Sequence, residues 1–159
     1  MNEEYIGKKV IHNPEGVCEI AGIRKIETSL YEEREYYKLV PVTDESCAIY
    51  IPVHSIDQHI RALKNKKEIL DIIKQCKEVK PLWINNEQKR IERRQKALKN
   101  DDAIALAKLI RSYHYRRRKD HLSIADHNWL KKAEQYLCSE IAEVLGIDFQ
   151  NAVYKIIEI

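Results

Sequence analysis

The spacing of apolar positions changes once along the chain, between residues 58 and 66. Before that point, "GKKVIH", "GVCEIAGIRKI", "YYKLVPV" and "CAIYIPV" are short runs rich in β-branched and apolar residues. Polar turns separate them, and this pattern predicts strands. Asn13 to Gly16, "NPEG", reads as a turn with Pro14 pre-set for its corner. "SLYEERE" reads as a polar hairpin tip, and "TDES" splits the last two runs. Short strands at this spacing predict a half-open barrel or a strongly bent antiparallel sheet. Tyr31, Tyr36 and Tyr37 flank strands and read as core or edge packing.

After residue 65 the period becomes 3.6. In "NKKEILDIIKQCKEV", Ile69, Ile72, Ile73 and Cys76 fall on one helical stripe. A second helix within 86–99 has Ile91 and Leu98 as its apolar positions. A third turns Leu106, Leu109, Ile110 and Tyr113 inward, with Asp101 or Asp102 as N-cap. A fourth opens on Ser123-x-x-Asp126, a capping-box pattern. It carries Leu130, Ala133, Leu137, Ile141 and Val144 inward and ends at Gly146, where a left-handed residue belongs. Trp129 beside that stripe reads as packing. "DFQNAVYKIIEI" is a short fifth helix. Tight links such as "KNDD" and "KDHLS" predict a helical bundle. The expected fold class is α+β, with a β module over 1–60 and an all-helical domain over 61–159.

The net charge of +3 hides an uneven distribution. Residues 1–60 hold 6 basic and 11 acidic side chains, net −5. Residues 61–120 hold 19 and 8, net +11, and residues 121–159 hold 3 and 6, net −3. A cationic middle between acidic ends is either a solvated helical surface or a footprint for a polyanion. An acidic β module suits a protein partner, which a sheet edge can bind by strand pairing.

Chemistry is sparse. No phosphate-binding glycine loop, nucleophile elbow, H-E-x-x-H motif or close cysteine pair occurs. Cys18, Cys47, Cys76 and Cys138 are far apart in apolar settings and read as small core residues in a reducing compartment. The six histidines are scattered, and neither His54 with His59 nor His121 with His127 reads as a supported ligand pair, so neither a metal nor a cofactor is expected. The expectation is a non-enzyme. "MNEEYIGKK" is not a signal peptide and no apolar run approaches a membrane span, so a cytoplasmic protein is expected, with no membrane partner.

The most concentrated cations lie in "PLWINNEQKRIERRQKALKNDD". On a helix, Lys89, Arg93 and Lys96 share one face, and Arg90 and Arg94 a neighbouring one. Such crowding is better tolerated where a polyanion supplies counter-charge, with phosphate contacts that are salt-dependent and sequence-tolerant. Trp83 stands in a loop just ahead. It is either a hydrophobic staple onto the bundle or a wedge that inserts at base steps or stacks on bases. Arg90 is expected to be exposed, so that Arg90→Glu lowers DNA affinity with little loss of stability. A second run, Arg116 to Lys119, exceeds what a helix C-terminus needs.

The ordered set of these segments resembles the CarD/CdnL family of bacterial transcription regulators. "IGKKVIHNPEGVCEIAGI" is similar to that family's G-D-x-V-V-Y-P-x-H-G opening. "YYKLVPV" and "AIYIPV" are similar to its Y-x-x-L and V-x-V-P strands. "ALKNDDAIALAKLIRSYHYRRRKDHLSIADHNWLKKAEQYLCSEIA" is similar to its long C-terminal pattern. The resemblance covers nearly the whole chain. It implies a Tudor-like β module that docks on the RNA polymerase beta subunit by strand-edge contacts. It also implies a helical domain that touches promoter DNA at the upstream edge of the transcription bubble and slows bubble collapse. Trp83 would be the minor-groove wedge, with Lys89, Arg90, Arg93 and Arg94 as DNA contacts. Arg24, Lys25 and Tyr50 would stand at polymerase-docking positions. The chain would be a monomer, associated with the nucleoid through polymerase. There are departures from the family pattern. His12-Asn13 replaces Tyr-Pro, Tyr50 replaces a basic residue, and Trp83 lies three or four residues further from "KNDD". The rival readings are a free-standing DNA-binding protein and a protein adaptor with no role for DNA.

Overall fold

A computed structural model describes residues 2–27 and 33–158. The chain divides into two compact units, Met1–Leu63 and Lys64–Ile159.

The first unit is one antiparallel sheet. Its strands are β1 (Lys9–His12), β2 (Gly16–Glu27), β3 (Glu33–Pro41), β4 (Ile49–Pro52) and β5 (Ile60–Arg61), in the order β4-β3-β2-β1-β5. Gly16 takes φ +92° as the chain leaves the "NPEG" turn, a conformation glycine adopts without a Cβ penalty. β2 is long enough to pair with β1 through its first half and with β3 along most of its length. A bulge between Ile20 and Gly22 bends it at mid-strand. Val10, Cys18, Ile20, Tyr37, Leu39 and Ile51 form the core with Ile56 of a 3-10 helix, Val53–Gln58. Ile49 of the β4 edge and Ile60 of the β5 edge both pack on this one cluster. The sheet therefore curls around a single core, as in a half-open barrel. Two-residue β5 is too short to carry a periodic signal, and no strand was expected there. Of the hairpin tip, residues 29–32, Tyr31 included, lie outside the described residues. Glu33, Arg34 and Glu35 belong to β3.

The second unit holds α1 (Lys66–Cys76), α2 (Glu87–Lys99), α3 (Ala103–Lys119), α4 (Ile124–Leu145) and α5 (Phe149–Ile157). Each helix begins at a side chain that accepts the N–H of its third residue: Asn65, Asn86, Asp102, Ser123 and Asp148. Such a cap stabilises by about 1 kcal/mol. At Asn65 the box is complete, because Glu68 returns a bond to the Asn65 backbone. Asp102 rather than Asp101 caps α3. Asp101 adopts φ +51° and accepts from the Tyr136 hydroxyl at 2.8 Å. α3 touches all four other helices. Its Leu106, Ile110 and Tyr113 are buried, whereas Leu109 is half-buried. The α1 stripe is buried as the spacing predicts, and so is that of α4 up to Ile141. In α2 the buried line is displaced by one residue from the expected Ile91 and Leu98, to Arg90 and Ala97. Gly146 ends α4 at φ +65°.

Candidate functional site

Asp126 organises the basic segment. It sits in the first turn of α4, 4% exposed, within reach of two arginines of α2. Arg90 Nη2 lies 3.1 Å from Asp126 Oδ2, and Arg94 Nη1 lies 2.7 Å from Oδ1. Arg90 Nη1 also donates to the carbonyls of Ile84 at 2.9 Å and Asn85 at 3.3 Å, tying the preceding loop to the helix. Burial resists ionisation of Asp126. The hydrogen bonds from Arg90, Ser123 and Arg94 outweigh it and hold the carboxyl below its ordinary range. A buried charge is tolerated only when paired and hydrogen-bonded in this way.

Aromatic rings enclose the same ion pairs. The Arg90 guanidinium lies 4.6 Å from the Trp83 ring centre, and that of Arg116 lies 5.4 Å from it. Tyr113 meets Trp83 edge-on at 5.0 Å and Trp129 at 4.8 Å. Arg94 lies 5.8 Å from the Trp129 ring and donates to the Tyr113 hydroxyl at 3.3 Å. Burial pushes the Tyr113 phenol up, against the hydrogen bond from Arg94.

This corrects the expectation of an exposed Arg90. At 8% exposure Arg90 is an internal strut, and Arg94 is half-buried on the same carboxylate. The physical reason is the helical period. Arg90 and Arg94 are one turn apart and face α4, while Lys89, Arg93 and Lys96 point outward and are exposed. Trp83 is half-buried in the arginine–tyrosine cluster, a contact set that matches the staple alternative. The residue that sequence reasoning missed is Asp126. Its capping-box spacing was legible, but its acceptance of two arginines 32 and 36 positions away was not. In the second run, Arg116 reaches Asp120 at 3.2 Å and Arg117 meets the His114 ring at 3.0 Å. Arg117, Arg118 and Lys119 are exposed.

In the first unit, strand parity sorts the three docking candidates. Arg24 pairs with Tyr36, Tyr36 with Pro52, and Tyr50 with Lys38. Tyr37, paired with Ile23 and Ile51, points into the core, so Arg24, Tyr36, Lys38 and Tyr50 share the opposite, outer face. Lys25 pairs with Glu35 and projects from the other side. Lys38 was not singled out in the sequence, and Tyr36 was read there only as core or edge packing, because register between strands sets which residues are neighbours. Among the described residues β4 pairs with β3 on one side only, which leaves its other edge as a sheet edge.

Three cysteines are buried, and Cys47 is half-buried rather than a core residue. Burial pushes the Cys18 thiol up to about 12. Among the described residues there is no cluster of side chains able to hold a metal ion. No helix among them is long and apolar enough to cross a membrane.

A curled five-stranded module followed by a capped helical bundle defines an α+β chain of two parts. Residues 5–64 match the family model described as CarD-like/TRCF RID domain, and residues 68–158 that described as CarD, C-terminal domain. The chain belongs to the CarD family. Its domains are regulatory, those of transcription factors that interact with RNA polymerase. A search of curated proteins finds no match.

Proposed function

We propose that the chain is a non-catalytic transcription factor that binds the RNA polymerase beta subunit and promoter DNA together, and thereby prolongs the open complex. The observation that carries this reading is the pair of family matches, which follow the two structural units in order. In it, the outer face and the β4 edge of the sheet dock on polymerase, with Arg24 and Tyr50 as contacts and Lys38 beside them. Lys25 acts only at the margin, since it lies on the other face. The helical module meets DNA at the upstream edge of the bubble. Lys89 and Arg93 grip phosphates, and Trp83 meets the minor groove with the part of its ring that Arg90, Arg116 and Tyr113 leave uncovered. Arg90 and Arg94 support this surface from behind.

The test is a binding titration of the cognate polymerase with wild type, Arg24→Glu and Lys25→Glu. Arg24→Glu weakens binding by about tenfold or more, as expected for losing a charged interfacial contact and adding a repulsive one. Lys25→Glu has the smaller effect. Equal affinity for all three removes the outer face from the docking surface.

A further inference from the structure

A second feature of the helical unit adjoins the Asp126 cluster at Trp83. The end of α1, the segment 79–84, Arg93 of α2 and one side of α3 enclose a cavity of about 390 Å³. That is within the roughly 300–1,000 Å³ range of small-molecule sites. Four cations line it, Lys80, Arg93, Lys108 and Arg111, and no carboxylate does among the described residues. Trp83 and Leu109 contribute to an apolar wall.

Arg111 is the unusual member. It is 7% exposed, and its Nη1 donates to the carbonyls of Ile156 at 2.7 Å and Glu158 at 2.9 Å, at the end of α5. Its Nε is buried with no hydrogen-bond partner among the described residues. The Glu158 carboxylate is taken by Lys77 at 3.1 Å. Buried arginine charge is ordinarily answered by an anion. Among the described residues its hydrogen-bond partners are two carbonyl dipoles, and Lys80, Arg93 and Lys108 line the same cavity.

We propose that this cavity binds a small phosphomonoester, its phosphate held by Lys108, Arg93 and Arg111 and its organic body against Trp83 and Leu109. A phosphate brings nearly two charges and three acceptor oxygens, which match several converging donors better than a carboxylate does. The volume leaves room beyond the phosphate for the body, and the apolar wall gives that body a surface. The proposal shares Arg93 and Trp83 with the DNA reading but does not rest on it, since the anion it requires is small and the site is concave.

Phenyl phosphate is the probe, titrated into the full ¹⁵N-labelled chain and followed by amide chemical shifts. Saturable shifts are expected at the cavity residues, with a Kd of about 1 mM for a ligand of this size. Inorganic phosphate binds the same residues more weakly, and phenol does not saturate. Lys108 is exposed, so Lys108→Ala keeps the fold and weakens binding by about tenfold. Lys131→Ala, on α4 away from the cavity, leaves the affinity unchanged. Absence of saturation with wild type, or equal affinity for Lys108→Ala and wild type, overturns the proposal. So does a short DNA duplex that shifts the cavity amides in a Lys108-dependent way when phenyl phosphate does not. That result assigns the cations to backbone phosphate.

Discussion

Arg90→Met removes the guanidinium that joins loop, helix α2 and Asp126, while keeping an apolar stem of similar length. The variant loses hydrogen bonds to Ile84, Asn85 and Asp126, and the contact with the Trp83 ring. Removing one partner of a buried ion pair costs about 3–5 kcal/mol. Asp126 keeps Arg94 at 2.7 Å and the bond to Ser123, so the lower end applies, about 3 kcal/mol. That is roughly a 150-fold change in the unfolding equilibrium, set against the roughly 5–15 kcal/mol that holds a domain together. The assay is urea unfolding followed by tryptophan fluorescence. Both tryptophans of the chain, Trp83 and Trp129, belong to this cluster, so the signal reports on it directly. At a slope of about 1.5–2 kcal/mol per molar urea, the midpoint falls by roughly 1.5–2 M. Lys89→Met, one residue earlier and exposed, is the control and unfolds with wild type. If Arg90→Met and Lys89→Met share the wild-type midpoint, Arg90 is not a strut and the reasoning from burial fails.

Acid should weaken the helical unit through the same carboxylate. The folded state holds the Asp126 carboxyl below its ordinary value of 3.8, so its contribution is complete above that pH. It is lost as pH falls through the lower folded value, because the unfolded chain then binds the proton first. Asp126→Asn should flatten that part of the stability–pH curve, and an unchanged acid limb would assign the effect to another group. Thiol reactivity should separate the cysteines. At mildly alkaline pH, a bulky disulfide reagent should modify half-buried Cys47 quickly and reach Cys18, Cys76 and Cys138 only on unfolding. Fast release of more than one equivalent from the native protein would contradict the burial of the other three.

The helices that could be read from the sequence are those whose inward positions are apolar. Ile69, Ile72, Ile73 and Cys76 carry a period that survives in the fold because nothing competes with it. α2 could not be read the same way. Its inward line is an arginine and an alanine, so Ile91 and Leu98, now half-buried, stood out instead. The division of its cations into two faces was legible from spacing alone. Which face points inward was not, because that depends on Asp126 arriving from α4. The N-cap spacing of Ser123 and Asp126 predicted a helix start and concealed the ion pairs. In the sheet, strand segments followed from turn residues and β-branched runs. The grouping of Arg24, Lys38 and Tyr50 on one face needed the bulge after Ile20 and the register it sets. Trp83 was visible as an aromatic residue ahead of cations, but its packing against Tyr113 and Arg116 spans about thirty residues of sequence.

The central claim is that this CarD-family chain extends the life of open promoter complexes through both units. The direct measurement is the lifetime of complexes formed by the cognate polymerase on a promoter, with no added protein, with wild type and with Trp83→Ala. Stability of each variant is checked alongside. The account predicts a longer lifetime with wild type, shortened by Trp83→Ala at equal polymerase occupancy. A lifetime that folded wild-type protein does not change would contradict it.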